Sequence, residues 1–367
     1  MTNNDIDKIY LGSDSVSKVF LGTDLVWPYT PPVPPTPVSG DYLTFEILTG
    51  GTINWKTYNS ANTKTISYSK NGGAWTDITA STGGTSFNVD AGDTVLFKAE
   101  NGTYSGNTFR DSTSYFNLSG NIMSLLYGDD FEGEGALSGE SVFYILFSGA
   151  KVVNAGGLSL PATTLTVRCY SYMFKDCTSL TTAPVLPATT LANSCYASMF
   201  ENCPLLRTAP ALPATTLEGG CYTEMFSGCT SLTTAPALPA TQLTLAPACY
   251  QAMFAGCTSL TTAPALPATS LTNYCYDRMF AGCTSLTTAP VLPATTLDDS
   301  CYQYMFHNCS SLNYIKCLAT NISTILPDTE GWVYNVASAG TFVKAASATW
   351  ETGDSGIPSG WTIIDDQ

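Results

Sequence analysis

Cys275-Tyr276-Asp277-Arg278-Met279-Phe280-Ala281-Gly282-Cys283-Thr284-Ser285-Leu286-Thr287-Thr288-Ala289-Pro290 decides the fold, because the same frame returns at every Cys-Tyr pair. Those pairs stand at 169, 195, 221, 249, 275 and 301, twenty-six residues apart except for one step of twenty-eight, where Leu245-Ala246-Pro247 adds two. Self-similarity at a fixed period is the signature of a solenoid, in which each copy buries its apolar side against the next. Both Cys, the Met-Phe pair and the Leu are the inward positions. The apolar residues of Cys-Tyr-x-x-Met-Phe-x-x-Cys fall at i, i+4, i+5 and i+8, which predicts one face of a short helix, and Ser-Leu-Thr-Thr-Ala predicts a short parallel strand. Pro184, Pro210, Pro236, Pro264 and Pro290 cannot donate to a ladder, and a second proline follows three residues later, so the strand stops early and extended chain returns.

Outward from the repeats the pattern fades on both sides. Val142 to Leu165 half-matches as a first copy through Phe143, Phe147-Ser-Gly and Leu160-Pro-Ala-Thr-Thr, with apolar residues instead of Cys, as expected of a cap. Beyond Leu318 it decays through Trp332 and Phe342 to Trp361, a closing cap over 319–367. Residues 41–141 read as a small antiparallel β-sandwich: Leu43-Thr-Phe45-Glu-Ile47 and Thr94-Val-Leu-Phe97 alternate, and Asn71-Gly72 between strand-like runs supplies a tight hairpin turn. Tyr29 to Gly40 is a proline-rich spacer. In residues 1–28, Lys8-Ile9-Tyr10-Leu11-Gly12-Ser13-Asp14 is echoed by Lys18-Val19-Phe20-Leu21-Gly22-Thr23-Asp24, which predicts two short strands forming a β-ribbon too small to stand alone. The expected fold class is therefore mixed β and α/β: ribbon, sandwich and a solenoid over 142–318 of short parallel strands and short helices.

Charged residues are 12% of the chain against about 25% in an ordinary protein, so a neutral, hydroxyl-rich surface is expected. The net charge of −15, with no basic stripe, argues against a nucleic-acid partner. Met1-Thr-Asn-Asn-Asp-Ile-Asp-Lys8-Ile-Tyr-Leu-Gly12 shows neither a basic nor an apolar leader region, and no run approaches a membrane span, so synthesis and retention in a cytoplasm without membrane insertion are expected unless a dedicated secretion route exists. All thirteen cysteines lie between Cys169 and Cys317 at repeat spacing, and an odd number cannot pair completely. Equivalent cysteines one copy apart, at roughly the 4.7–4.9 Å spacing of neighbouring strands, do not suit a disulfide, so reduced core thiols are expected.

Met253-Phe254-Ala-Gly-Cys257-Thr-Ser-Leu260-Thr-Thr262 resembles the leucine-rich repeats of the BspA type, found in surface proteins of Bacteroidetes and in their phages. The resemblance covers about 150 residues, and the unit here is longer and richer in proline than the family's. The Lys8 and Lys18 segments resemble N-terminal segments of structural proteins of tailed phages. Asn121-Ile-Met-Ser-Leu-Leu-Tyr127-Gly resembles a segment placed before such repeats. The resemblance implies a non-catalytic virion appendage, a head or tail fibre component assembled in the host cytoplasm. It would join other virion proteins through residues 1–28 and present the repeats to a host surface protein or glycan. Fibres of that kind are frequently homotrimers. A bacterial cell-surface adhesin of the same repeat family is the alternative.

No catalytic, metal or cofactor site is expected. Gly353-Asp354-Ser355-Gly356 copies the nucleophile loop of chymotrypsin-like proteases, but Ser needs a general base and the single histidine, His307, sits at a variable repeat position. Cys-x7-Cys is not a zinc spacing. Asp129 to Glu140 holds five carboxylates, yet Glu140 misses the twelfth place of a calcium loop counted from Asp130, so an acidic linker is expected. Recognition in a repeat frame falls to positions that vary between copies. Those are the pair after Cys-Tyr and the residue before it, which nominate Arg168, Tyr172, Glu224, Tyr274, Arg278 and Tyr304 as partner-binding residues. The competing reading is that these positions are unconstrained surface.

Overall fold

The computed structural model describes residues 10–11, 14–15, 19–21, 24–27, 41–243, 246–320 and 328–366. The chain divides into two compact units, Met1–Thr36 and Pro37–Gln367. In the first unit each copy of the N-terminal echo makes its own antiparallel pair. β1 (Tyr10–Leu11) joins β2 (Asp14–Ser15), and β3 (Val19–Leu21) joins β4 (Asp24–Trp27). The proline-rich stretch from 29 to 40 lies outside the described residues.

The second unit begins with two sheets. β5 (Leu43–Ile47), β7 (Thr65–Lys70), β8 (Thr76–Thr79), β10 (Thr94–Lys98) and β12 (Phe116–Asn121) pair antiparallel in the order β12-β5-β10-β7-β8; β6 (Gly51–Thr57) lies between β9 (Thr85–Val89) and β11 (Asn107–Thr108) in a second sheet. The inner faces meet in an aromatic core. Phe45 stacks on Phe116 at 4.3 Å and meets Phe97 at 4.5 Å and Phe109 at 4.8 Å. Asn71 adopts φ 52° and Gly72 φ 71°, the left-handed pair that a tight hairpin between β7 and β8 requires. α1 (Ser124–Tyr127) is the one helix among the described residues, and no sheet closes into a barrel.

From Ser141 onward the predicted short helix is absent, and a run of tight turns takes its place. Within Arg168–Cys177, residues 169, 171, 173, 175 and 177 donate their N–H three residues back, as in Met173 N–H to Tyr170 O at 3.2 Å. Residues 168, 170, 172, 174 and 176 donate theirs to the following copy, as in Phe174 N–H to Met199 O at 2.9 Å. Every fourth residue turns the chain with a positive φ: Arg168 at 55°, Tyr172 at 57° and Asp176 at 59°. An α-helix would send every N–H to the residue four back and leave none for the neighbour. Here half of the donors cross to the next copy. The apolar spacing i, i+4, i+5, i+8 arises equally from turns of four residues and from a helix of 3.6 residues per turn, which is why the sequence pattern reads as helical.

The crossing bonds lay the copies one on another and bury the repeated side chains. Cys169, Tyr170, Met173, Phe174, Cys177 and Leu180 are completely buried, as are their counterparts in the later copies apart from residual exposure of the tyrosines. Tyr170, Tyr196, Tyr222, Tyr250, Tyr276 and Tyr302 form one column of near-parallel rings 5.7–6.0 Å apart. Phe147, Phe174, Phe200, Phe226, Phe254, Phe280 and Phe306 form a second at 5.3–5.8 Å. The tyrosines are inward, a position the sequence pattern did not give them. Threonines after the Leu make single parallel bridges, Thr208 to Thr234 and Thr234 to Thr262, where strands were expected. Alanine and proline follow immediately and end each one.

All thirteen cysteines are free and buried. The second cysteine of each copy donates its S–H to a phenylalanine carbonyl of the preceding copy, from Cys203 to Phe174 O at 3.1 Å and from Cys257 to Phe226 O at 3.2 Å. Burial pushes the thiols of Cys195, Cys229, Cys275 and Cys309 up to about 12, so the nucleophilic thiolate is scarce at neutral pH.

Both ends of the stack are covered. β13 (Gly157–Ser159) joins β12 in parallel, Phe109 stacks on Phe147 at 5.7 Å, and Tyr104 stacks on Phe143 at 6.1 Å, so the two-sheet segment carries both aromatic columns onward. At the other end one indole, Trp332, meets Tyr302 at 6.2 Å and Phe306 at 6.1 Å and finishes both columns. β14 (Tyr314–Cys317), β15 (Thr341–Ala345) and β16 (Thr362–Asp366) form a parallel sheet there.

Two outcomes follow from this backbone. Gly256 holds φ 73°, and a Cβ built on it meets only Gly228 backbone at an ordinary 3.7 Å, so Gly256→Ala is expected to lower unfolding free energy by about 1–2 kcal/mol through backbone strain alone; urea titration reads it. A thiol reagent is expected to find no reactive thiol in the native chain and thirteen after denaturation without reductant.

Candidate functional site

The left-handed residues recur in three columns across the stack. The third column, Asp176, Asn202, Gly228, Gly256, Gly282 and Asn308, contains only residue types that accept positive φ readily. The first two do not follow that rule. Arg168 and Tyr274 occupy the first column; Tyr172, Glu224, Arg278 and Tyr304 occupy the second, with φ between 51° and 58°. All six residues nominated from sequence variation thus share one backbone conformation and two adjacent rows. Each costs about 1–2 kcal/mol relative to an ordinary φ. It is held because the N–H of each donates to the next copy, as from Tyr172 to Ala197 O at 2.9 Å and from Arg278 to Gln303 O at 2.8 Å.

Arg168 and Tyr274 are exposed, the latter at 39%, and Tyr172, Glu224 and Tyr304 are half-buried. They form three groups rather than one pocket. At the start, Arg168 and Tyr172 line a polar cleft of about 360 Å³ with Tyr144, Ser171 and Ser194. Lys175 lies 5.2 Å over the Tyr172 ring and forms an ion pair with Glu201 at 2.7 Å. In the middle, Glu224 accepts a hydrogen bond from Ser198 Oγ at 3.1 Å. Towards the end, the Arg278 guanidinium sits 4.8 Å over the Tyr304 ring, and Tyr304 OH donates to Glu330 Oε1 at 2.9 Å, which holds its phenol above the usual range. Tyr274 stands apart on the surface.

The sequence reading missed Lys175, Glu201 and Glu330, because the residue two after Met and the last copy's carboxylate were not compared between copies. It also gave no special place to Asp277, whose side chain is completely buried. Asp277 Oδ2 accepts from Gln251 Nε2 at 2.8 Å and Arg278 Nη1 at 2.6 Å, while Oδ1 has no hydrogen bond among the described residues. Burial pushes its carboxyl above the usual carboxylate range against the pull of both donors.

Ser355 and His307 approach a common cleft, yet Ser355 Oγ accepts the Gly331 N–H at 3.0 Å and no hydrogen bond joins it to His307 among the described residues. Ser355 therefore pins the closing turn. Among the described residues no group of three His, Cys, Asp or Glu side chains is arranged to hold a metal ion, and no helix is long and apolar enough to cross a membrane.

A raised Asp277 pKa means that the folded chain binds its proton more tightly than the unfolded chain, so its ionised form weakens the fold above the unfolded carboxylate pKa and the penalty fades as pH falls. Asp277→Asn is accordingly expected to raise the melting temperature at neutral pH, with the gain shrinking in acid; thermal unfolding at both pH values checks it.

No curated protein and no solved structure matches the chain. Residues 245–328 match the family model of the BspA type leucine-rich repeat region in six copies. Over that stretch, which contains Tyr274, Arg278 and Tyr304, the repeats are of the BspA leucine-rich-repeat type.

Proposed function

We propose that this chain is a non-catalytic binding module whose repeats form a solenoid and display the face bearing Arg168, Tyr172, Glu224, Tyr274, Arg278 and Tyr304 to a surface protein or glycan. The observation that carries this reading is the contrast between columns. The third keeps to Gly, Asn and Asp, while the first two place Arg, Tyr and Glu in a backbone conformation that disfavours them. A frame selected for stability alone gains nothing by it. Aromatic and arginine side chains are also the commonest anchors of protein interfaces. The stack beneath supplies rigidity, so such anchors lose little further freedom on binding.

The setting we propose is a phage virion appendage, a head or tail fibre component. Residues 1–28 would attach to other virion proteins, 29–40 would act as spacer, and the repeats would point towards the host. The support is the twin N-terminal hairpin with its resemblance to structural segments of tailed phages, together with the BspA-type repeats. A trimer fits a fibre. The second reading, a bacterial cell-surface adhesin, rests on the same repeat type.

Two measurements test these claims. Mass spectrometry of purified, nuclease-treated virions is expected to recover the chain, and consistent absence from particles removes the virion reading. Purified chain is expected to bind host cells, and Tyr172→Ala with Tyr274→Ala to reduce that binding at least about tenfold, the loss of one or two anchors, with the melting temperature little changed; undiminished binding overturns the face.

A further inference from the structure

The last copy holds a cleft of about 270 Å³ bordered by Tyr304, His307, Glu330, Tyr334, Asp354 and Ser355. His307 and Tyr334 occupy the same position in successive copies, and their rings stack at 5.0 Å and 19°. Tyr304 meets the imidazole edge-on at 5.6 Å. Tyr334 remains 48% exposed. Two carboxylates stand beside this aromatic wall. Glu330 accepts only from neutral donors, Tyr304 OH and Gln303 Nε2 at 2.6 Å, and Asp354 is exposed. Neither forms an ion pair with a lysine or arginine among the described residues. Arg278 covers the Tyr304 ring, but its charge is matched by Asp277 at 2.6 Å.

The same chain shows what such a setting accepts. On the two-sheet segment the half-exposed Trp75 has the Lys98 ammonium 4.5 Å from its ring centre, and that ammonium is held by Asp129 at 2.7 Å. Lysines likewise lie over Tyr58 at 5.8 Å and Tyr115 at 4.8 Å. Ring, ammonium and carboxylate make one unit there. In the last-copy cleft the rings and carboxylates come from the chain, and no lysine or arginine of the described residues lies over Tyr334. A cation over a tyrosine face beside a carboxylate is attracted by the ring quadrupole and by the charge together. The net charge of −15 draws cations toward the chain as a whole.

We propose that this cleft binds the ammonium group of an external ligand, either the amine of an amino sugar or the side chain of a partner lysine. The ammonium sits against Tyr334 and donates to Glu330 and Asp354, and Ser355 stays in its turn. The inference deepens the display-face reading, with which it shares Tyr304, by naming the ligand chemistry at one end of the face.

His307 is the only histidine of the chain, so its imidazole Cε1 proton gives one NMR signal that reports on this cleft without ambiguity. The intact chain is titrated at one buffered pH with a de-N-acetylated glucosamine oligomer, with Nα-acetyl-lysine amide, and with the fully N-acetylated oligomer. A saturable shift with either amine, weakened about tenfold in Asp354→Asn, is the expected result, and the tighter amine identifies the source. An equal shift with the acetylated oligomer, a shift unaffected by Asp354→Asn and Glu330→Gln, or no shift with any probe overturns the proposal. Asp354 is exposed, so its variant keeps the test meaningful if Glu330→Gln disturbs the turn. Loss of cell binding by the face variants with the histidine shift intact bears on the display reading alone, and the converse bears on this cleft alone.

Discussion

The structure depends on a division of labour among backbone N–H groups. In each turn run, alternate residues close their own turn and the residues between them reach sideways to the next copy. The carbonyls divide likewise: Arg168, Tyr170 and Tyr172 accept within their copy, while Cys169, Ser171 and Met173 accept from the copy before. Every buried peptide group in the run is then paired without a helix or an extended strand. Buried peptide groups left unpaired cost far more than paired ones return, so this arrangement is available only to a chain that supplies another copy on each side. The left-handed residues, the parallel rings and the thiol donors all follow from that arrangement.

The composition makes sense on the same ground. A cysteine is small enough for the crowded interior and can donate weakly to a carbonyl that already accepts one N–H. Cys203, for example, brings both its N–H, to Phe200 O, and its S–H, to Phe174 O, into the network. Tyrosine in the first ring column carries a cost. The hydroxyls of Tyr170 and Tyr222 are buried without a hydrogen bond among the described residues, so the gain must come from ring area and near-parallel contact with neighbours. At the head of the acidic stretch before the repeats, Asp129 is exposed yet held by Tyr42 OH at 2.7 Å and by Lys98.

Much of this was legible in the sequence. The Cys-Tyr period located the copies, and Met-Phe, Cys and Leu marked the interior because burial repeats wherever geometry repeats. Asn71-Gly72 marked its hairpin because positive φ demands such residues. The turn run was not legible, since turns of four residues and a helix of 3.6 residues drift apart by less than one residue over Cys169 to Cys177. The trace that separates them lies in the third column: Asp176, Asn202, Gly228 and Gly256 at a fixed place in every copy is a left-handed signature that a mid-helix position would not tolerate. Variation between copies nominated Arg168, Tyr172, Arg278 and Tyr304, which share a positive φ. It could not find Glu330 or Tyr334, because the last copy departs from the period and offers no column in which to compare them.

Trp332 closes both ring columns with one side chain, and the two-sheet segment closes the opposite end. Between these lids the backbone pairing of the turn runs repeats from copy to copy. Duplication or deletion of one complete unit in the gene would leave every donor facing an equivalent acceptor, whereas a fractional change would strand half a run of amides. Length in such a protein is thus counted in whole steps, and evolution can lengthen or shorten the reach of the chain without redesigning either lid.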